Sequence, residues 1–327
     1  MQAIADLLRR LFRAREAGVS VFLVMALVAA AILAPRFYSL QNLRNLLLDT
    51  PLVVTVGMGM TAVIVCRQID LSVGSIVAVS GMAVGEIYRA HPSMPTPIAM
   101  AVGVAVGALL GLGNALLVTY LKVPSIITTL GTMSIYRGLA FVIGGGRQIN
   151  PNDLPAHLVS LSISSPVGIP YLALLALVIF LLTHVFLSMS RMGRAIYATG
   201  SNPDAARLSG LPTEGIVAGA FIACGALAGL AGIMYASRFG FVNPAQTGNG
   251  FELQVIAATV IGGTQVTGGS GTAVGTLLGC ILLAAIVNIL TVAHLSGRWQ
   301  LAAYGAIILV AIVSDGAGRL QSTPVVS

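Results

Sequence analysis

The sequence predicts an all-α membrane protein in which about ten transmembrane helices pack as one bundle. Three observations carry that expectation. Hydrophobic residues make up 57% of the 327 and charged residues 8%, with a mean hydropathy of +0.95. Soluble domains carry about 25% charged residues, so a water-soluble globule is excluded. Apolar stretches close to 20 residues long, enough to cross a bilayer core, recur along the whole chain. The net charge of +7 is dispersed as arginines through apolar sequence, which reads as a topology signal and not as a nucleic-acid surface.

Taken in order, the chain opens with Ile4, Leu7, Leu8, Leu11 and Phe12 at helical spacing beside Arg9, Arg10, Arg13 and Arg15. That pattern predicts a cytoplasmic amphipathic segment over 1–16 that lies on anionic membrane lipid. A basic region before an apolar run is also how a signal peptide begins, and Ala29-Ala30-Ala31 would serve for cleavage. The many spans that follow favour a retained first helix. Spans are expected at roughly 17–35, 46–66, 71–89, 97–120, 124–143, 166–188, 215–236, 251–266, 272–292 and 299–317, within one transmembrane domain of 17–320 and ahead of a tail at 321–327. With the N-terminus inside, ten cationic residues fall on the cytoplasmic side: Arg9, Arg10, Arg13, Arg15, Arg67, Lys122, Arg191, Arg194, Arg207 and Arg319. Six fall outside (Arg36, Arg44, Arg89, Arg147, Arg238 and Arg298), and Arg137 sits within a span. This bias puts both termini in the cytoplasm.

Small residues recur at a spacing of four in Gly103, Gly107 and Gly111, in Gly271, Gly275 and Gly279, and in Gly225 and Gly229. Such faces let helix backbones approach closely. The cysteines, Cys66, Cys224 and Cys280, each fall inside an apolar run without paired spacing, so they are expected as small core residues. Gly144 to Pro170 is the longest outer loop and is expected to carry a short surface helix.

Three places break the apolar pattern. Arg67-Gln68-Ile69-Asp70-Leu71-Ser72-Val73-Gly74-Ser75 puts charge between two apolar segments, and 262–272 holds five glycines in eleven residues. Irregular backbone survives in lipid only where protein or a water-filled cavity surrounds it, so both belong inside the bundle or at its cytoplasmic rim. At an offset of 197 they share Val63/Val260, Ile64/Ile261, Gln68/Gln265 and Gly74/Gly271, a hint of an internal repeat. The third break is the polar loop 189–214. Asn202 is suited to cap a helix, Pro203 to its first position and Asp204 to the positive end of its dipole, while Gly210 and Pro212 end it. Spacing alone fits equally a loop helix resting on the ends of neighbouring spans and a helix presented to another protein.

Several chemistries are missing. There is no Gly-x-Ser-x-Gly elbow and no Ser, His and acid cluster. His91, His157, His184 and His294 lack ligand spacing, so neither catalytic nor metal-binding residues are expected. The single lysine, Lys122, lies between Leu121 and Val123, which excludes a phosphate-binding P-loop. Any ATP-driven role needs a partner. Asp70 is the acid expected at membrane depth, where a charge costs about 2.5–3.5 kcal/mol and a functional role is the default. The competing reading has Asp70 capping the next helix with Arg67 as its ion partner. Asn288 and Gln300 offer neutral polar groups, suited to a sugar hydroxyl and more commonly used in interhelical hydrogen bonds. No regular series of charges lines any span, which disfavours an ion channel or voltage sensor.

At Gly59-Met60-Thr61 leading to Ile69-Asp70-Leu71-Ser72-Val73-Gly74-Ser75, the chain resembles the membrane subunits of bacterial ATP-binding cassette sugar importers, the branch of ribose, rhamnose and autoinducer-2 permeases. Gly193-Arg194 through Ala198–Asn202 to Ala205–Gly210, Gly262-Gly263-Thr264 with Gly268–Gly271, and Gln246–Glu252 extend the resemblance in order from about Phe37 to Asp315. Arg67-Gln68 departs from the small residue and glycine usual in ribose permeases and, with Leu121-Lys122-Val123-Pro124, leans toward the rhamnose or autoinducer-2 members.

The resemblance implies a type II-like importer permease in the bacterial inner membrane. Its partners would be an ATPase subunit, a second permease subunit (identical or paralogous) and a periplasmic sugar-binding protein. ATP and Mg would be bound by the ATPase, with no cofactor in this chain. The family's coupling helix maps onto Ser201, Asn202, Pro203, Asp204, Ala205, Ala206, Arg207 and Leu208. Asp70, Ser72, Ser75, Gln265 and Asn288 are the expected translocation-path residues, and Arg36, Arg44, Arg147 and Arg238 the expected docking residues for the binding protein. A nucleoside or branched-chain amino-acid permease of the same superfamily is the nearest alternative. A secondary transporter fits less well, since no coupling carboxylate beyond Asp70 is expected within the membrane.

Overall fold

A computed structural model describes residues 16–163 and 168–292, with single positions at 299, 302, 305, 306 and 309. The expected tenth span at 299–317 with Gln300, the N-terminal segment up to residue 15, Arg298, Arg319 and the tail therefore lie outside the described residues, apart from those single positions. The architecture is helical: α1 Glu16–Leu33, α2 Leu40–Val65, α3 Val73–Ala90, α4 Thr96–Ala115, α5 Ser125–Ile143, α6 Tyr171–Met189, α7 Arg191–Ser201, α8 Pro203–Leu208, α9 Thr213–Phe239, α10 Phe251–Ile261 and α11 Ala273–Val292.

Among the described residues six helices are long and apolar enough to cross a membrane: α2, α4 with its π-helical extension to Tyr120, α5, α6, α9 and α11. α1 presents a shorter apolar stretch, Gly18–Ile32. α10 corrects the expected span at 251–266. Its 11 residues rise about 16 Å, half of a ~30 Å hydrocarbon core. Ala30, within the candidate cleavage run, is buried in a small cluster with Ala34, Phe37 and Ala285 that fastens α1 to α11.

α2 is the axis of the bundle. In its most apolar window 89% of residues are buried, against 28% in α5 and 22% in α6, whose apolar outer faces remain for lipid. Pro51 is accommodated inside α2, as bundle packing permits in membrane helices. α4 and α9 make the closest helix pair, and the glycine spacing explains it. A Cβ on Gly107 or Gly111 would strike the backbone of α9 at Gly225 and Phe221, one on Gly103 would overlap the Ile233 side chain, and one on Gly225 would reach back into Gly107 and Gly111. Gly275 and Gly279 pack in the same way on Gly262 and Ala258. The small-residue faces thus do the packing expected of them. All three cysteines are free and buried, as anticipated.

Interhelical contacts sort the connections to two ends. At one, Lys122 pairs with Glu214 at 3.0 Å, and the segments 66–72, 191–214 and 262–272 meet. At the other, Arg89 binds the Gln148 carbonyl and the Asp153 carboxylate, each at 2.9 Å, and Ile149 bridges to Val242. The long loop carries the expected surface helix as 3-10 turns at Pro151–Asp153 and Ser160–Ser162 around one α-turn, Ala156–Val159.

Candidate functional site

The polar loop folds as two helices. Ser190 caps α7 through Gly193 N (2.8 Å), and Asn202 caps α8 through Ala205 N (3.0 Å) with Pro203 first and Asp204 next. Gly210, at φ +82°, takes the left-handed conformation that ends the turn. Of the residues expected to form a coupling helix, Ala206 is buried, while Asp204, Ala205 and Arg207 are exposed and Leu208 is 91% exposed. Arg207 also reaches Glu214 at 2.9 Å, an exposed pair that water and salt screen.

The three irregular stretches of the sequence meet directly above α8. Gly200, in the last turn of α7, sits so close to the ends of α2 and the glycine-rich loop that a Cβ would overlap the Val65 carbonyl. Gly269 N donates to that same carbonyl at 2.8 Å. Arg67 donates from Nε to the Gly200 carbonyl and from Nη2 to the Ser201 carbonyl at 2.6 Å. Tyr197 Oη donates to Gly271 O at 2.7 Å. A cavity of about 310 Å³ beside the junction is lined by Tyr197, Gly262, Gly263 and Gly269 to Thr272.

Arg67 therefore corrects the alternative proposed for Asp70: its side chain caps α7 and forms no ion pair with Asp70. Asp70 is fully buried and belongs to a polar network of its own. Its Oδ1 accepts from Ser72 N (2.9 Å) and Ser72 Oγ (2.7 Å), and both carboxylate oxygens accept from Asn114 Nδ2 at 3.3 Å. Asn114 Nδ2 also donates to Ser72 Oγ (2.7 Å), and Tyr136 Oη donates to Leu110 O (2.8 Å) beside it. Sequence reasoning missed Asn114 and Tyr136. The signal that could have found the first was a lone asparagine in an otherwise apolar span.

The other expected path residues are dispersed. Ser75 is buried one turn beyond Ser72, and its Oγ has no hydrogen-bond partner. Gln265 turns the glycine-rich loop, its N donating to Ser270 O at 2.9 Å. Asn288 exchanges two hydrogen bonds with Asn42, at 2.7 and 2.9 Å, and so ties α11 to the start of α2.

A second carboxylate enters the bundle through the segment after α9. Val242 lies against Gly81, and farther along α3 Gly248 and Glu252 lie against Gly74. Arg137 holds this strap by donating to Pro244 O (3.0 Å) and Thr247 O (2.6 Å). The expectation of no interior acid beyond Asp70 is thus incomplete: Glu252 opens α10 inside the bundle, where periodicity reads only the start of a span.

Among the expected docking arginines, Arg36, Arg44 and Arg147 are exposed. Arg238 is engaged with Asp49 at 2.7 Å and lies over the Phe239 ring at 5.5 Å.

The stretches compared at the offset of 197 follow helices that end in a motif shared by α5, at Gly145, and α8, at Gly210. α2 ends with Arg67 N donating to Ile64 O (2.9 Å) and Gln68 N to Val63 O (3.1 Å). α10 ends with Gly263 N to Val260 O (2.9 Å) and Thr264 N to Thr259 O (3.2 Å). These are the same helix-ending motif, with left-handed residues Arg67 and Gly263. From Arg67 to Gly263 the separation is 196, so the two helix ends do not fall in the register of 197 read in the sequence.

Residues 42–312 match the family model for the permease component of branched-chain amino acid transport systems. The autoinducer 2 import system permease protein LsrC of Yersinia pseudotuberculosis is 37% identical over 300 residues, covering 91% of this chain and 84% of that protein. The protein of the same description in Escherichia coli is 35% identical over 302 residues, covering 92% and 87%. No solved structure matches the chain.

Proposed function

Because this chain belongs to the permease-component family of branched-chain amino acid transport systems, we propose that it is the membrane subunit of an ATP-driven importer that takes up autoinducer 2 or a closely similar sugar-derived polyol. The identity to autoinducer 2 permeases along nine-tenths of the chain carries the choice of solute over an amino acid. A family member of this kind is not itself an enzyme; ATP hydrolysis is assigned to a partner ATPase that holds ATP and Mg. The full bundle is read as ten helices in the inner membrane, α10 among them at half length, with both termini cytoplasmic. That orientation puts the Lys122–Glu214 end in the cytoplasm and the Arg89–Asp153 end outside.

On this reading α8 is the helix that meets the ATPase. The single observation that supports it is Leu208, a leucine left 91% exposed at the tip of a capped helix, on the end that carries Lys122 and Glu214. A partner that covers Leu208 removes its apolar side chain from water, and the exposed Arg207 beside it is of a type enriched where interfaces carry their binding energy. The loaded binding protein docks at the other end, where Arg36, Arg44 and Arg147 steer an acidic partner more than they add affinity. Arg238, already paired with Asp49, adds little there. Closing of the ATPase dimer moves α8, and the bundle alternates between outward and inward openings while the solute passes between two permease subunits. Asp70, Ser72, Ser75 and Gln265 are the path residues on this account, with Asn114, Tyr136 and Glu252 beside them, whereas Asn288 binds Asn42.

Uptake of autoinducer 2, ribose, rhamnose and leucine by cells carrying this chain with its neighbouring importer genes tests the solute. Uptake of leucine in preference to the sugars and autoinducer 2 would overturn it. Arg207→Glu should leave insertion intact and uncouple uptake from ATP hydrolysis. Unchanged uptake by that variant would remove α8 from the mechanism.

A further inference from the structure

We infer that Arg67 is the positioning residue that links the α7–α8 segment to the end of α2 and to the glycine-rich loop between α10 and α11, an inference that rests on the reading of α8 as the ATPase-facing helix. The last carbonyls of any helix lack intrahelical donors. At the end of α7 two of them, on Gly200 and Ser201, are satisfied by the Arg67 guanidinium. Arg67 itself is the residue that ends α2, so one side chain joins the end of the loop helix to the end of the bundle's axis.

Two further observations make this more than a surface contact. Arg67 sits at φ +61°, a conformation natural to glycine, and α10 carries Gly263 (φ +88°) in the matching place of its own ending. Backbone held this way at a non-glycine residue marks a site that the surroundings over-determine. The side chain also works beside a rigid backbone contact. Gly200 is seated on the Val65 carbonyl, which accepts from Gly269 N. Movement of the α7 end is therefore felt at the end of α2, through Arg67 in the loop that carries Asp70, and through Gly269 in the loop that leads to α11. Coupling requires an element with two discrete arrangements that the nucleotide biases, and this junction is where the ends of α2 and α7 and the loop leading to α11 share one contact.

The test uses the importer assembled with its ATPase and binding protein in proteoliposomes, with autoinducer 2 as the transported probe and the ratio of solute moved to ATP hydrolysed as the readout. Arg67→Gly suits the left-handed backbone and removes the guanidinium, so assembly and ATP hydrolysis are expected to persist while the ratio falls at least tenfold. Arg67→Lys keeps one cationic donor group and should retain part of the coupling, falling several-fold. A merely structural role would lower uptake and hydrolysis together and leave the ratio unchanged. A ratio within twofold of the parent in Arg67→Gly overturns the inference; should that variant not assemble, the same result in Arg67→Lys overturns it. Leu208→Asp separates the two readings. A normal ratio there refutes α8 as the ATPase contact, whereas a lost ratio there with a normal one at Arg67 refutes the link alone.

Discussion

Replacing Gly225 by alanine should destabilise the bundle, while Gly219→Ala, six residues earlier on the same helix, should not. A Cβ built on Gly225 lies 2.8 Å from Gly111 Cα and 3.0 Å from Gly111 N, and closer still to the Gly107 carbonyl. Carbon atoms rest at about 3.5–4.0 Å, so α4 and α9 must part by roughly 1 Å to admit the methyl group. Overpacking of this kind costs about 1–3 kcal/mol. A methyl group on Gly219 would meet nothing within 4 Å. Both substitutions gain the same helix preference of alanine over glycine, about 0.5–1 kcal/mol. The gain cancels when the two variants are compared, so their difference isolates the packing term at about 1–3 kcal/mol. Thermal unfolding of purified protein in one detergent, with the folded fraction followed by size exclusion, measures it. Equal stability of the two variants, or a more stable Gly225→Ala, would refute close α4–α9 packing.

Four further outcomes are expected. Asn114→Leu removes the amide that donates to Asp70 and Ser72 and leaves buried acceptors short of a partner, at a cost of about 1–3 kcal/mol; Tyr136→Phe, which loses chiefly the bond to Leu110 O, should cost about 1 kcal/mol in the same unfolding assay. Arg137→Met frees the carbonyls of Pro244 and Thr247, so amide hydrogen exchange should rise across 243–250 and stay unchanged in α4. Arg67→Gly in the reconstituted importer should lower solute moved per ATP at least tenfold with hydrolysis retained. The Arg89 side chain, followed by the Asn150 N–H, holds the Asp153 carboxyl below the usual carboxylate range. A depressed carboxyl contributes stability above its unfolded pKa, about 3.9, that is lost as pH falls through the lower folded value. The stability difference between the parent and Asp153→Asn should therefore be constant from about pH 5 to 8 and shrink only below about pH 4.

What the sequence determined by itself are the properties written in local pattern. Apolar length and scarce charge made this a helical membrane protein, four-residue glycine spacing marked the faces on which helices would close, and capping residues placed α8 to within a residue or two. These follow from the chemistry of single segments, whether lipid solvation, helix-end hydrogen bonds or the missing Cβ. The tertiary structure decided what segments do to one another. Only packing could bring Arg67, Gly200 and Gly269 to one junction, since their separations of 133 and 69 residues leave no periodic trace. Packing also turned Arg67 away from Asp70 and gave Asp70 a partner, Asn114, from another span. It shortened α10 as well: an apolar run at 251–266 looks like a span by composition, but the helix ends at Ile261, where Gly262 seats against Gly275 of α11 and Gly263 turns left-handed. Hydropathy reports the solvent that a residue suits. In a buried bundle the solvent is other helices, and only the fold names which ones.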